Sequence, residues 1–337
     1  MTVAIPDLPA CLFDLLAQIP AGKVTTYGAL ATALGHPPAA RFVGEFALDH
    51  EHHAGCRCHR VVRADGAPGQ YIAGTPEEKL RRLSDEGVRV TDRGVDLAAS
   101  GFDAFVCDQP LAALRRQQEA VAGQLSLRGR GRLPKLVGGV DVSYRGGREG
   151  VAAYALVDVA TGKLVWSLTI ARPVTFPYIP SFLTFREMPI LLALLNEVRA
   201  AGRLTDVVLV DGTGILHPRR IGITAHLGIV AGQPTMGVTK SLLCGEYNEN
   251  ELTFETPQPI LLDGEVLGTA ILPHRRSSKP LFVSPGNLVD VEFSAQLVRA
   301  LLTGRPLPEP IYWADRLSRQ VARGRVPAGQ ASGTTGG

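Results

Sequence analysis

The sequence predicts two domains, a mainly helical one followed by a larger α/β one built on a central mixed sheet with flanking helices. Three observations carry this expectation. The 337 residues are more than one compact core usually holds and suit domains of roughly 100 and 200 residues. The first ninety or so residues place apolar side chains at helical spacing in short segments. Beyond them, apolar runs of strand length alternate with helical ones.

In chain order, LPACLFDLLAQI, KVTTYGALATAL and HPPAARFVGEFAL read as short helices, the last starting after its prolines. The stretch TDRGVDLAASGFD, residues 91–103, is polar, contains Gly and breaks the helical pattern, which marks a boundary. The expected limits are residues 1–95 for the first domain, 96–103 for a linker and 104–323 for the second domain. LAALRRQQEAVAGQL is a polar amphipathic helix, and KLVGGVDVSY, GVAAYALVDV and LVWSLTI are strands separated by turns. EMPILLALLNEVRAA then reads as a helix and DVVLVDG as a buried strand. The tail, residues 324–337, holds too little apolar content to fold and is expected to be disordered.

Composition narrows the class. Hydrophobic residues make up 45% and charged residues 20%, with no apolar run long enough to cross a membrane. The N-terminus carries acids where a secretory signal carries Lys or Arg, so a cytoplasmic protein is expected. Five irregularly spaced cysteines (Cys11, Cys56, Cys58, Cys107, Cys244) do not form a disulfide framework, so any special cysteine is chemical. A net charge of +3 permits nucleic-acid binding through local patches without demanding it.

Two aspartates close apolar runs, Asp141 after KLVGGV and Asp211 after DVVLV. A carboxylate there is aimed at the rim of a sheet, where α/β proteins build ligand sites, and its burial needs a cationic partner. Glu187 opens the helix EMPILLALLNEV, and three such groups converging suit Mg²⁺, a hard cation that takes oxygen ligands. Lys240, after PTMGV, offers a compact positive charge for a phosphate. Taken singly, an Asp at a strand end is more often a turn or cap residue.

GGVDVSY, PYIPSFLTFRE, VDGTGILHPRRIG, AHLGIVAGQPTMGVTKSLLCG, LFVSPGNLVDV and PLPEPIYWADRLSR follow one another in one order. Together they resemble endonuclease V, over roughly residues 103–322. The resemblance implies a ribonuclease-H-like fold and a nuclease that nicks DNA near deaminated purines, above all hypoxanthine, at the second phosphodiester on the 3′ side. It implies that Asp141, Glu187 and Asp211 bind Mg²⁺, with Mn²⁺ as a substitute, and that Lys240 holds the phosphate. Tyr178, Ile179 and Pro180 would form a wedge that separates strands beside the lesion, as stiff apolar inserts do. The loop DGTGILHPRR would close over a flipped base, with Arg219 or Arg220 facing phosphate; His217 is either a nucleic-acid contact or a packed histidine. Where the family usually has His, this chain has Asn287 after SPG and Thr213 after DG. Asn cannot carry a proton as imidazole does, so slower cleavage is expected.

In the first domain, HAGCRCHRVVRADG sets Cys58 beside His59, with Glu86 further on, the parts of an activated thiolate. An alternative is zinc binding, since His50, His52, His53, Cys56, Cys58 and His59 crowd into ten residues. Against it, Cys-x-Cys is not a usual structural zinc spacing and no second Cys or His pair follows. IPAGKVTTYGALATALGHPPAARFVGEFAL, CHRVV and GAPGQYIAGTPEEKLRRLSDEG resemble the C-terminal domain of alkylguanine-DNA alkyltransferase over about residues 8–90. That family's winged helix-turn-helix enters the DNA minor groove and moves an alkyl group from guanine to a cysteine. The resemblance assigns Cys58 as acceptor, His59 as its water-linked base and Glu86 as the orienting acid. Tyr27 would help rotate the nucleotide out and Arg41 would fill the gap. The chain has Arg57 where the family has Pro and His50 where it has Asn.

The resulting expectation is a bifunctional repair protein acting on damaged DNA, with no membrane partner. Its rivals are a nuclease carrying a non-catalytic alkyl-lesion anchor, a damage-binding protein without activity, and an inosine-specific RNA endonuclease.

Overall fold

The computed structural model describes residues 5–53 and 55–325. Residues 326–337, most of the expected disordered tail, lie outside the described residues. Chain contacts divide it into two compact units. One holds residues 2–117 with 176–183, the other residues 118–175 and 184–337.

The first unit is mainly helical. It comprises α1 (Leu8–Gln18), β1 (Thr25–Thr26), α2 (Tyr27–Ala33), α3 (Ala40–Asp49), β2 (Val61–Val62), α4 (Pro76–Asp85), β3 (Val90–Thr91), β4 (Gly94–Val95), α5 (Leu97–Ser100) and the start of α6 (Pro110–Ala122). Local chemistry sets these boundaries. Asp7 caps α1, Thr26 caps α2, and Thr75 with Glu78 forms a reciprocal capping box on α4. The stretch expected to be a boundary is instead packed. Val90 pairs with Val95 and Thr91 with Gly94, while Val24 and Phe102 exchange backbone hydrogen bonds with Ser100 and Val24. Its glycine serves a hairpin rather than a linker: Gly94 has φ of 116°.

The second unit centres on an eight-stranded sheet in the order β10-β11-β12-β9-β8-β5-β6-β7. Its strands are β5 (Leu136–Arg145), β6 (Glu149–Asp158), β7 (Leu164–Pro173), β8 (Val208–Asp211), β9 (Thr235–Thr239), β10 (Gln258–Leu262), β11 (Glu265–Ile271) and β12 (Leu281–Asn287). Only β5–β8 and β8–β9 run parallel. The helices are α7 (Leu183–Ala200), α8 (Ile223–Ala231), α9 (Val291–Ala300) and α10 (Glu309–Ala322).

Strand alternation sorts the core into two layers. Val140, Val208 and Val210 pack with Met188, Leu191 and Leu194 of α7 and Ile223 and Leu227 of α8. Val137, Val207 and Leu209 pack with Phe293, Leu297 and Val298 of α9 and Ile311 of α10. The period of two therefore places Asp141 and Asp211 on the α9–α10 side. Gly139 shares that face and lets α10 approach closely: a Cβ there would stand 2.4 Å from the Pro310 carbonyl carbon. Gly139→Ala is expected to cost about 1–3 kcal/mol through overpacking and to lower nuclease activity by displacing α10. A thermal melt read beside a nicking assay checks both effects.

Candidate active site

The acidic site begins with strand register. Val140 pairs in parallel with Val210, so the next residues, Asp141 and Asp211, project side by side. Asp211 ends β8, but Asp141 lies within β5, which continues through its antiparallel pairing with β6 to Arg145. What ends at Asp141 is the parallel pairing with β8, not the strand. α10 supplies Asp315, and carboxylate oxygens of Asp141, Asp211 and Asp315 all lie within 4.8 Å of one another. On the same helix Ser318, fully buried, donates to Asp141 Oδ2 at 2.7 Å, and Arg319 pairs with Asp315 at 2.8 Å.

Glu187 arrives from α7, on the opposite layer. That helix starts at Leu183, so Glu187 sits in its second turn rather than opening it. Tyr144 donates to Glu187 Oε1 at 2.7 Å, and the Arg186 guanidinium lies 4.4 Å from the Tyr144 ring centroid. Lys240 follows β9, is exposed, and its charge favours the ionised form of Asp211.

Burial and mutual repulsion perturb these groups. Burial, with Asp141 and Asp211 adding to it against the Tyr144 hydrogen bond, raises Glu187 to about 8. Burial followed by the Asp141 charge raises Asp211 to about 7. Asp141 is also raised, again mainly by burial. The part-buried carboxylates of Asp141, Asp211 and Asp315, which repel one another, are a donor set a hard divalent cation satisfies, and they fit Mg²⁺.

The neighbouring loop is built by close approach. A Cβ on Gly214 would stand 1.9 Å from Pro285 O, and Gly214 N donates to Ser284 Oγ at 2.9 Å. Thr213 is buried within this loop. His217 is buried, its Nδ1 accepts from Arg219 N at 3.1 Å, and burial with the Arg219 charge lowers its pKa to about 4, the state of a packed neutral histidine. Arg219 Nε donates to Gln118 Oε1, while Arg220 pairs with Asp263 and Glu265, so both guanidinium groups are engaged by the protein. Asn287 Oδ1 accepts from Ser126 N at 3.1 Å, a structural tie. Of the expected wedge, Tyr178 is 55% exposed and Pro180 is exposed, but Ile179 is 1% exposed and belongs to a core.

In the first unit, Cys58, His59 and Arg60 form a single 3₁₀ turn entering β2. Glu86, at the end of α4, accepts from His59 Nε2 at 2.7 Å and from Arg60 Nε at 2.6 Å. With Nε2 donating, His59 Nδ1 is left as the acceptor, and it has no partner among the described residues. Burial lowers the His59 pKa. Burial acts to raise Glu86, but Arg60 and His59 hold it below its ordinary value. Arg57 donates to the carbonyls of Ala17 and Ile19 at the end of α1, so a side chain anchors the backbone before Cys58. Tyr27 begins α2 and is half-buried, whereas Arg41 on α3 is 80% exposed and paired with Glu45.

Sequence reasoning missed Asp315 and Ser318. In a polar helix, Asp315 four residues before Arg319 resembles an ordinary surface pair. The signal lay in spacing: Asp315 and Ser318 share a stripe with Ile311 and Ala314, both fully buried.

Part-buried carboxylates clustered on the rim of a mixed sheet, beside a lysine, define an α/β domain of the acidic-cluster nuclease type, here joined to a helical unit. The profile of Endonuclease V matches residues 119–316, and that of the 6-O-methylguanine DNA methyltransferase DNA binding domain matches residues 10–88. The chain belongs to the endonuclease V family, with that methyltransferase-type DNA-binding domain fused ahead of it. A protein of Picrophilus torridus named bifunctional methyltransferase/endonuclease is 32% identical over 88% of this chain and 90% of its own length. Endonuclease V of Azotobacter vinelandii is 41% identical over 63% of this chain and 94% of its own length. Among solved structures, the catalytic domain of human endonuclease V superposes with a TM-score of 0.60 at 32% identity, covering 65% of this chain and 98% of that one. Ciona intestinalis endonuclease V, solved with a DNA containing an inosine followed by a ribo-adenosine, gives 0.57 at 30% identity, covering 64% and 99%. No helix among the described residues is long and apolar enough to cross a membrane.

Proposed function

We propose that the second unit nicks DNA at deaminated purines, cutting the second phosphodiester 3′ of hypoxanthine in a reaction that needs Mg²⁺. The convergence of Asp141, Asp211 and Asp315 within 4.8 Å carries this reading. Those three, with Glu187, would hold the cation, which when bound polarises the phosphoryl group and lowers the pKa of an attacking water. Ser318 orients Asp141 and Tyr144 orients Glu187. Lys240 meets the phosphate charge, and exposed Tyr178 stacks where a base has been displaced. The test is nicking of inosine-containing DNA and of the matching RNA with Mg²⁺ present or chelated. Cleavage of the DNA one nucleotide beyond the lesion's 3′ neighbour bond supports the reading, and cleavage of RNA alone replaces it.

For the first unit, we propose acceptance of an alkyl group from guanine by Cys58. The observation behind it is the His59–Glu86 pair beside the buried thiol, with His59 Nδ1 available to take up the thiol proton. The Cys58 sulfur bonds to the alkyl carbon, the carbon–oxygen bond to guanine breaks, and the base regains a proton from solvent. Mass spectrometry after incubation with O6-methylguanine duplex is expected to find the adduct on Cys58 and none in Cys58→Ala. Tight lesion binding with no adduct would leave this unit as a damage-sensing anchor.

A further inference from the structure

The loop between α3 and β2 collects two histidines and two cysteines that the reactions above do not require together. A nitrogen of His50, a nitrogen of His52 and the sulfurs of Cys56 and Cys58 all lie within 4.8 Å of one another. His50 Nε2 stands 3.1 Å from Cys56 Sγ, and His52 Nδ1 stands 3.6 Å from Cys58 Sγ. All the cysteines are free thiols.

From these residues we infer that His50, His52, Cys56 and Cys58 form a tetrahedral site for a soft divalent cation of the zinc class. Two sulfurs and two nitrogens are a zinc donor set, and in a tetrahedral site with the usual bond lengths they sit about 3.3–3.8 Å apart. A small contraction of the existing cluster reaches that spacing. The chemistry outside the ligand set agrees as well. His50 Nδ1 donates to the Phe46 carbonyl at 2.9 Å, which leaves the Nε2 lone pair aimed at the cluster. Metal-bound histidines are oriented by such a bond on their other nitrogen. The His50 ring is further held by stacking on Phe46 at 5.1 Å and by the edge contact with Phe13 at 5.6 Å. Cys56 and Cys58 are buried while His52 is exposed, and His52 and Cys56 line a cleft of about 640 Å³ that gives an ion a way in.

The sequence objection was spacing, since Cys-x-Cys lacks a second pair further along the chain. The fold answers it locally: the second pair, His50 and His52, precedes the cysteines and is folded back by the end of α3. A bound ion would tie the end of α3 to the turn that carries Cys58. Cys58 is shared with the proposed alkyl acceptance, and since that transfer would turn its thiolate into a thioether, the unalkylated protein is the form that holds the ion.

Cobalt(II) titration of the reduced full-length protein tests it, because only sulfur ligation gives the near-ultraviolet charge-transfer band and the carboxylates of the second unit are silent there. One equivalent is expected to give that band with tetrahedral visible bands, and zinc is expected to displace it. His52→Ala alters only an exposed side chain and is expected to weaken zinc binding at least about tenfold, as is Cys56→Ser, while His53→Ala binds like the parent. Circular dichroism confirms that each variant is folded. Absence of the band in the parent, or an unchanged band in His52→Ala and Cys56→Ser, would overturn the site.

Discussion

Asp211→Asn is expected to lower Mg²⁺-dependent nicking of an inosine duplex by at least about a thousandfold, a loss of roughly 4 kcal/mol of transition-state stabilisation. The substitution keeps shape and removes one charge from the place where Asp141, Asp211 and Asp315 meet. Asp315→Asn is expected to act in the same direction, although its sequence context resembles a surface ion pair. Ser318→Ala differs in kind. It removes only the donor to Asp141, so its expected cost is about tenfold, partly recovered by raising Mg²⁺. Single-turnover nicking across a Mg²⁺ series distinguishes these cases. Wild-type rates in Asp211→Asn would remove the acidic cluster from the mechanism.

The metal-free protein is expected to lose stability as pH rises from about 4 to about 8, and Mg²⁺ to restore it most at the upper end. The sign follows from Glu187, raised to about 8 from 4.5, and Asp211, raised to about 7 from 3.8. A carboxyl whose folded pKa is raised contributes stability that is fully present below its unfolded pKa. That contribution is lost as pH climbs to the folded value, because burial disfavours the charged carboxylates and their mutual repulsion adds to it. A cation competes with the protons for the same oxygens, so its stabilisation grows with pH; at a hundred times Kd it reaches about 2.7 kcal/mol. Melting temperatures with Mg²⁺ and with chelator, in the parent and in Asp211→Asn, isolate the effect. An Mg²⁺ shift that is flat across the range, or equal in the variant, would contradict it.

Much of this arrangement was legible in residues. The apolar runs KLVGGV and DVVLV pointed to Asp141 and Asp211 at the rim of a sheet, and helical spacing marked α1, α2 and α3; that the two strands are neighbours comes from the fold. Where reading failed, longer-range packing decided. Leu183 to Arg186 extend α7 ahead of Glu187, and residues 91–103 are polar yet pair with one another and with Val24. β10 contains Pro259, β11 contains Gly268 and β12 contains Pro285, so none announces itself locally as a strand. The charged loop DGTGILHPRR is consistent with phosphate contact in sequence, but only the fold shows Arg220 held by Asp263 and Glu265.

The acidic cluster joins Asp141 to Asp315 and Ser318, groups almost at opposite ends of the nuclease unit in sequence. During synthesis the sheet strands emerge first and α10 last among the described elements. A nascent chain can therefore pair β5 with β8 while its acidic cluster still lacks one wall. The last wall of the cluster is therefore supplied by α10, and a chain cut before that helix is expected to lack Asp315 and Ser318 and with them the complete acidic site.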